Sequence, residues 1–136
     1  IGVAKCDSEG LLATPLVTIT SGPNAITEIY ELVHEFEAKC VYVGKPISLA
    51  GKDTASTMAA LDFASLLAKQ LENDSVTVRL IDERLSTVSA QRGMHEAGRT
   101  VKQSRDAIDQ AAAVVILEHA LASERNAGNF VGEEVT

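Results

Sequence analysis

Tryptophan is absent from the sequence, and phenylalanine and tyrosine bring aromatics to only 4% of its 136 residues. So few ring faces disfavour a surface that grips single strands by base stacking, and the core has to come from Ala, Val, Leu and Ile. No segment approaches the run of about 18 apolar residues that a membrane helix needs. No basic-then-apolar leader is seen either, so the expectation is a cytoplasmic protein without membrane contact. Cysteine is scarce: Cys6 and Cys40 match no metal-ligand spacing and read as two free thiols in a reducing compartment. Glycine and proline are too few for a collagen-like or disordered chain. Neither a Gly-x-Gly-x-x-Gly nor a P-loop pattern occurs, which leaves a nucleotide cradle unsupported. His34, His95 and His119 fall on three different expected helices without zinc-ligand spacing.

What is present is an aliphatic chain of single-domain size, 46% apolar and 23% charged. The net charge of −7 argues against coating nucleic acid by bulk electrostatics. Its distribution is uneven. Arg84, Arg92, Arg99, Lys102 and Arg105 face a single acid, Glu96, within one short stretch. Such a stretch is either a solvated helix face and loop or a local phosphate-binding surface on an acidic body.

Hydrophobic patterning orders the elements. An apolar start at Ile1–Ala4, turn residues around Asp7 and an extended run from Leu11 to Ile19 predict a hairpin, with Pro15 marking an edge strand. Asn24 is placed to cap a helix over Ala25–Lys39. Cys40–Val43 reads as a strand buried on both faces. Asp53 or Thr54 opens a helix to about Leu71, with Met58, Leu61, Ala64, Ser65, Leu67 and Ala68 as its packing stripe. Val76–Ile81 is a further strand. A helix from Ser86 or Thr87 to Ala97, a basic loop over Arg99–Gln103 and a helix over Ser104–Ser123 follow. Residues 1–123 thus form one domain, and 124–136 are expected to be a flexible tail. Strands alternating with helices imply a three-layer α/β domain with a mixed sheet, antiparallel at the hairpin and parallel beyond it. Such sheets place their sites where the strands end.

Three places could carry chemistry. Asp82 and Glu83 leave the last strand, and alternation sends only one of them toward a given site. Asp109 lies beside an apolar helical stripe, where a carboxylate is costly unless paired or bound to metal. Gly44-Lys45-Pro46 follows the middle strand, with Gly44 allowing close backbone approach. Carboxylates converging from a strand end and a helix suit a hard divalent cation. Acids near helix starts are also ordinary helix-dipole partners, which is how Asp106 reads.

Ile1-Gly2-Val3-Ala4 with Asp7, Ala13-Thr14-Pro15-Leu16, Val43-Gly44-x-Pro46, Asp82-Glu83-Arg84-Leu85-Ser86-Thr87 and Ile108-Asp109-Gln110-Ala111-Ala112-Ala113 occur in that order. Together they resemble the YqgF/RuvX family of pre-16S rRNA nucleases, also described as Holliday-junction-resolvase-like, over nearly the whole chain to about Ala122. The resemblance implies an RNase H-like fold and a nuclease using Mg²⁺ or Mn²⁺. By position, Glu83 and Asp109 become catalytic metal ligands, and Arg84 a phosphate contact or support. A third acid of the family lies on a strand directly upstream of Ile-Gly-Val-Ala. The expectation is therefore a sheet missing its first strand, with open edges that would suit a homodimer. Lys45 stands where the family has an apolar residue, and Ser48 and Ala50 replace polar or acidic ones.

The implied task is 5′-end maturation of precursor 16S rRNA. Structured RNA would be held by Arg84, Arg92, Arg99, Lys102 and Arg105, with Lys45 as a further contact. Branched DNA is the alternative substrate. A non-catalytic RNA-binding module is the reading from another class.

Overall fold

The computed structural model describes residues 1–7, 9–46, 52–83 and 101–135, with the backbone alone for 101–106. The expected helix from Ser86 or Thr87 to Ala97 lies outside the described residues. The elements run β1 (Gly2–Cys6), β2 (Ala13–Thr18), α1 (Ala25–Glu35), β3 (Cys40–Lys45), α2 (Ala55–Gln70), β4 (Thr77–Asp82), α3 (Val101–Ala127) and β5 (Glu133–Val135).

The hairpin forms as its turn residues dictate. Asp7 Oδ1 accepts the Leu11 N–H at 2.7 Å, a side-chain bond that folds the chain back. β1 and β2 pair antiparallel, and the register shifts between Val3 and Ala4, where Pro15 stands opposite Ala4. Proline has no N–H to give a ladder, so it sits where the pairing is irregular.

In α1, Ala25, Ile29 and Val33 recur every four residues and are buried. Asn24 occupies the N-cap position, but its side chain makes no capping bond. The helix ends at Glu35, earlier than Lys39, and Glu37 turns the chain with a φ of 53°. α2 starts at a true capping box: Thr54 Oγ1 accepts from the Thr57 N–H, and Thr57 Oγ1 accepts from the Thr54 N–H. Met58 and Ser65 face outward rather than joining the expected stripe, while Ala64 and Leu67 are buried.

β3 and β4 run parallel, in register from Cys40–Thr77 to Lys45–Asp82, and α2 supplies the crossover that parallel strands need. β5 then adds antiparallel to β4. The strands do not close into one sheet: β1–β2 and β3–β4–β5 are separate, and β1 and β3 each keep one edge without a partner among the described residues. The mixed pairing is as expected, and the described strands pair in two groups, β1–β2 and β3–β4–β5.

Helices cover both faces. On one side α1 and α2 bury Ile29, Val33, Ala64 and Leu67 with Val78 and Leu80 of β4. On the other, Ala112, Ile116 and Ala120 of α3 pack on Ile81, with Tyr42 and Val131 alongside. Every buried apolar side chain among the described residues is Ala, Val, Leu or Ile, as the scarcity of aromatics requires. Cys6 and Cys40 are free thiols, and burial pushes the Cys40 thiol up.

Two boundaries differ from expectation. α3 begins at Val101, so Lys102 stands on a helix and not in a basic loop. In the segment 124–136, the helix continues to Ala127 and Glu133–Val135 forms β5. That segment is fastened to the sheet. Tyr42 Oη accepts the Val131 N–H at 3.2 Å, and the Arg79 guanidinium reaches the Val131 and Gly132 carbonyls and Glu134. Burial raises the Tyr42 phenol above its ordinary pKa. No described helix is long and apolar enough to cross a membrane.

Candidate active site

The site builds up from the carboxyl ends of β3 and β4. Alternation along β4 sends Val78 and Leu80 to the α1/α2 face and Ile81 to the α3 face. Glu83 lies just past the end of β4 and borders Gly44, as Ile116 of α3 does. A Cβ built on Gly44 would lie 2.8 Å from Glu83 Oε1 and 2.9 Å from Ile116 Cδ1, so the carboxylate and the isoleucine tip both border the space over Gly44.

Asp109 lies on α3 as well. It precedes Ile116 by seven residues, which on a 3.6-residue helix is about 20° of rotation and about 10 Å of rise. Asp109 therefore stands on the line of Ile116, half-buried, next to buried Ile108 and Ala112. Its backbone rests on β1: a Cβ at Gly2 would collide with the Asp109 carbonyl and stand 2.8 Å from the Gln110 nitrogen. Gln110 Nε2 donates to Thr18 Oγ1 of β2 at 2.9 Å, which fixes this turn of the helix to the hairpin. α3 thus touches one sheet at Asp109 and the other at Ile116.

Asp82 and Lys45 end their strands side by side. With Ile81, His119, Ser123 and Glu133 they line a cleft of about 390 Å³. Lys45 Nζ is 3.8 Å from Glu133 Oε2, a contact whose glutamate is 70% exposed. A pair so open to water is worth little and exchanges readily for another anion. The sequence weighed His119 only as a zinc ligand and Ser123 only as the end of a helix; their spacing from Ile116, three and seven residues along one helix face, is the signal that places them together. Arg84, Arg92 and Arg99 lie outside the described residues. Lys102 and Arg105 lie in the first turns of α3, where only the backbone is described.

A family model described as "RuvX: Holliday junction resolvase" matches residues 1–123. The chain belongs to the RuvX family. The layered α/β architecture with mixed strand pairing agrees with the RNase H-like fold expected of such a member. Similar RuvX relatives carry the name "Putative pre-16S rRNA nuclease". One from Clavibacter sepedonicus is 45% identical over 135 residues, covering 97% of this chain and 82% of the relative. One from Streptomyces avermitilis is 44% identical over 137 residues, 99% of this chain and 86% of the relative. Another, from Thermobifida fusca, is 43% identical over 142 residues, 99% of this chain and 88% of the relative. β5 falls beyond the residues that the RuvX model matches.

Among the described residues no group of three or more His, Cys, Asp and Glu side chains is assembled for a metal. The donors at hand are the carboxylates of Glu83 and Asp109. Oxygen donors in that number fit Mg²⁺, which binds through one or two carboxylates and keeps several waters.

Proposed function

We propose that the chain is a metal-dependent nuclease that hydrolyses phosphodiester bonds of structured RNA, in the 5′-end maturation of precursor 16S rRNA. The reading is carried by one observation: Glu83 Oε1 and Ile116 Cδ1 border the same space over Gly44, and Ile116 shares its helix line with Asp109. The names of the RuvX relatives support the substrate. Glu83 and Asp109 would hold Mg²⁺ or Mn²⁺, which when bound supplies a Lewis acid for activating water and offsetting charge on the leaving oxygen. The chain's own part is to hold two negative charges beside a wall of Ile116 and Ala112, where neutralisation by a cation is favoured. Lys45 would exchange Glu133 for a phosphate. Arg84, Arg92, Arg99, Lys102 and Arg105 would hold the backbone on either side. Branched DNA presents the same phosphodiester chemistry, and the open edges of β1 and β3 are where a homodimer would pair.

The test is cleavage of precursor 16S rRNA by the chain in Mg²⁺ or Mn²⁺, with a four-way DNA junction as competitor. Glu83→Gln and Asp109→Asn each lower the rate at least about a hundredfold, roughly 2.7 kcal/mol of barrier. Undiminished cleavage by both variants removes the assigned roles. Preferred cutting of the junction moves the substrate to DNA, and salt-sensitive RNA binding without cleavage in either metal makes the chain a binding module.

A further inference from the structure

Gly2 and Gly44 are the two glycines over which α3 comes down on the strands, and they differ in what a side chain would strike. At Gly2 the obstacle is helix backbone, the Asp109 carbonyl and the Gln110 nitrogen. Backbone within a helix cannot step aside, so a methyl group there pushes α3 away from β1. At Gly44 both obstacles are the free ends of flexible side chains, Glu83 Oε1 and Ile116 Cδ1, with Glu83 Cγ at 3.3 Å behind them. A methyl group at position 44 can therefore be accommodated without moving the backbone, by a shift of the carboxylate, of the isoleucine tip, or of both.

The first glycine thus sets the height of the helix. The second keeps clear a space beside Glu83. We propose that Gly44 is a positioning residue for Glu83: its missing side chain leaves open the space over β3 that the Glu83 carboxylate borders. The consequence for the reaction rests on the proposed function, since a displaced carboxylate matters to cleavage only where Glu83 holds the cation. The space itself is a matter of packing and does not depend on it.

Two effects of a methyl group have to be separated. It displaces Glu83 directly, and it presses on Ile116 and so on the helix that carries Asp109. Trimming Ile116 to valine removes Cδ1 and relieves the second effect alone. The experiment compares the full chain with the variants Gly44→Ala, Ile116→Val, the double variant and Glu83→Gln. The first readout is the carboxyl-carbon NMR resonance of Glu83 without metal, and the second is Mn²⁺ affinity by electron paramagnetic resonance.

Gly44→Ala moves the Glu83 resonance, lowers the melting temperature by a few degrees, and weakens Mn²⁺ binding about tenfold, the loss expected when support for a metal ligand is removed. Ile116→Val leaves Mn²⁺ affinity unchanged. The double variant keeps both the moved resonance and the weakened binding. An unmoved resonance in Gly44→Ala, or recovery of the original resonance and affinity in the double variant, overturns the inference. So does Gly44→Ala binding Mn²⁺ normally while Glu83→Gln fails to bind. A moved resonance with Mn²⁺ affinity unaltered in both Gly44→Ala and Glu83→Gln retains the positioning by Gly44 and rejects Glu83 as the cation ligand.

Discussion

The two faces of the strands are built from different materials. The α1/α2 face is filled with bulk: Ile29, Val33, Leu67, Leu71, Val78 and Leu80 form a continuous cluster with nothing charged inside it. The α3 face is built for clearance. Its buried cluster is Ile81, Ala112, Ile116 and Ala120, set against Gly2 and Gly44, and both candidate carboxylates lie on it. Apolar volume stabilises a fold, while alanine and glycine let backbones approach and leave room for functional groups. The chain therefore keeps its bulkiest packing on one side of the strands and its candidate carboxylates on the other.

That separation can be broken by substitution. Leu67 is fully buried, and Leu67→Ala should cost about 3 kcal/mol of unfolding free energy in a urea titration, within the range of roughly 2–5 for such cavities. Mn²⁺ affinity of the folded variant should be unchanged; a parallel loss would show that the faces are not independent. A smaller effect is expected from the α2 cap. Thr57 is fully buried, exchanges bonds with Thr54, and its hydroxyl also donates to the Pro46 carbonyl. Thr57→Ala should cost about 1 kcal/mol in the same titration. An added drop in RNA affinity would show that α2 also fixes the Lys45–Pro46 strand end, and would sharpen where the boundary runs.

The smallest effect belongs to the hairpin turn, away from either cluster. The Leu11 N–H bond holds the Asp7 carboxyl below its ordinary value of 3.8. A depressed acid stabilises the fold above its unfolded value, and that contribution is lost as pH falls through the lower, folded value. The Leu11 amide resonance should shift as pH is lowered from about 5 to 2, and Asp7→Asn should flatten the response. Mn²⁺ affinity at neutral pH should not notice the change.

How far these features could be read in advance depends on whether their causes were local. β3 and β4 were legible because Cys40–Val43 and Val76–Ile81 are continuous apolar runs, the mark of strands covered on both sides. Thr54 was legible as a cap because its own hydroxyl makes the bond. The start of α3 was misread because Ser104 resembles a cap, yet it sits inside a helix of 27 residues whose burial comes later, at Ile108, Ala112 and Ile116. β5 was missed for the opposite reason. Glycines at 128 and 132, both with a φ of 80°, and two glutamates resemble a tail. What makes a strand of 133–135 is Arg79 and Tyr42, more than fifty residues away.

At the candidate site, pattern alone left Asp82 and Glu83 level and marked Asp109 as costly; the motif resemblance preferred Glu83. The meeting of Glu83 with Ile116 over Gly44 joins residues from three elements and had no local signal at all.

β5 has one more effect. A strand edge left long, flat and apolar is a template on which other chains deposit. Here the outer flank of β4 ends in three residues, two of them glutamates, one drawn toward Lys45 and the other toward Arg79. A border so short and so negatively charged gives an incoming strand almost nothing to hydrogen-bond and a reason to stay away. The sheet is thereby protected from growing into aggregates on that side.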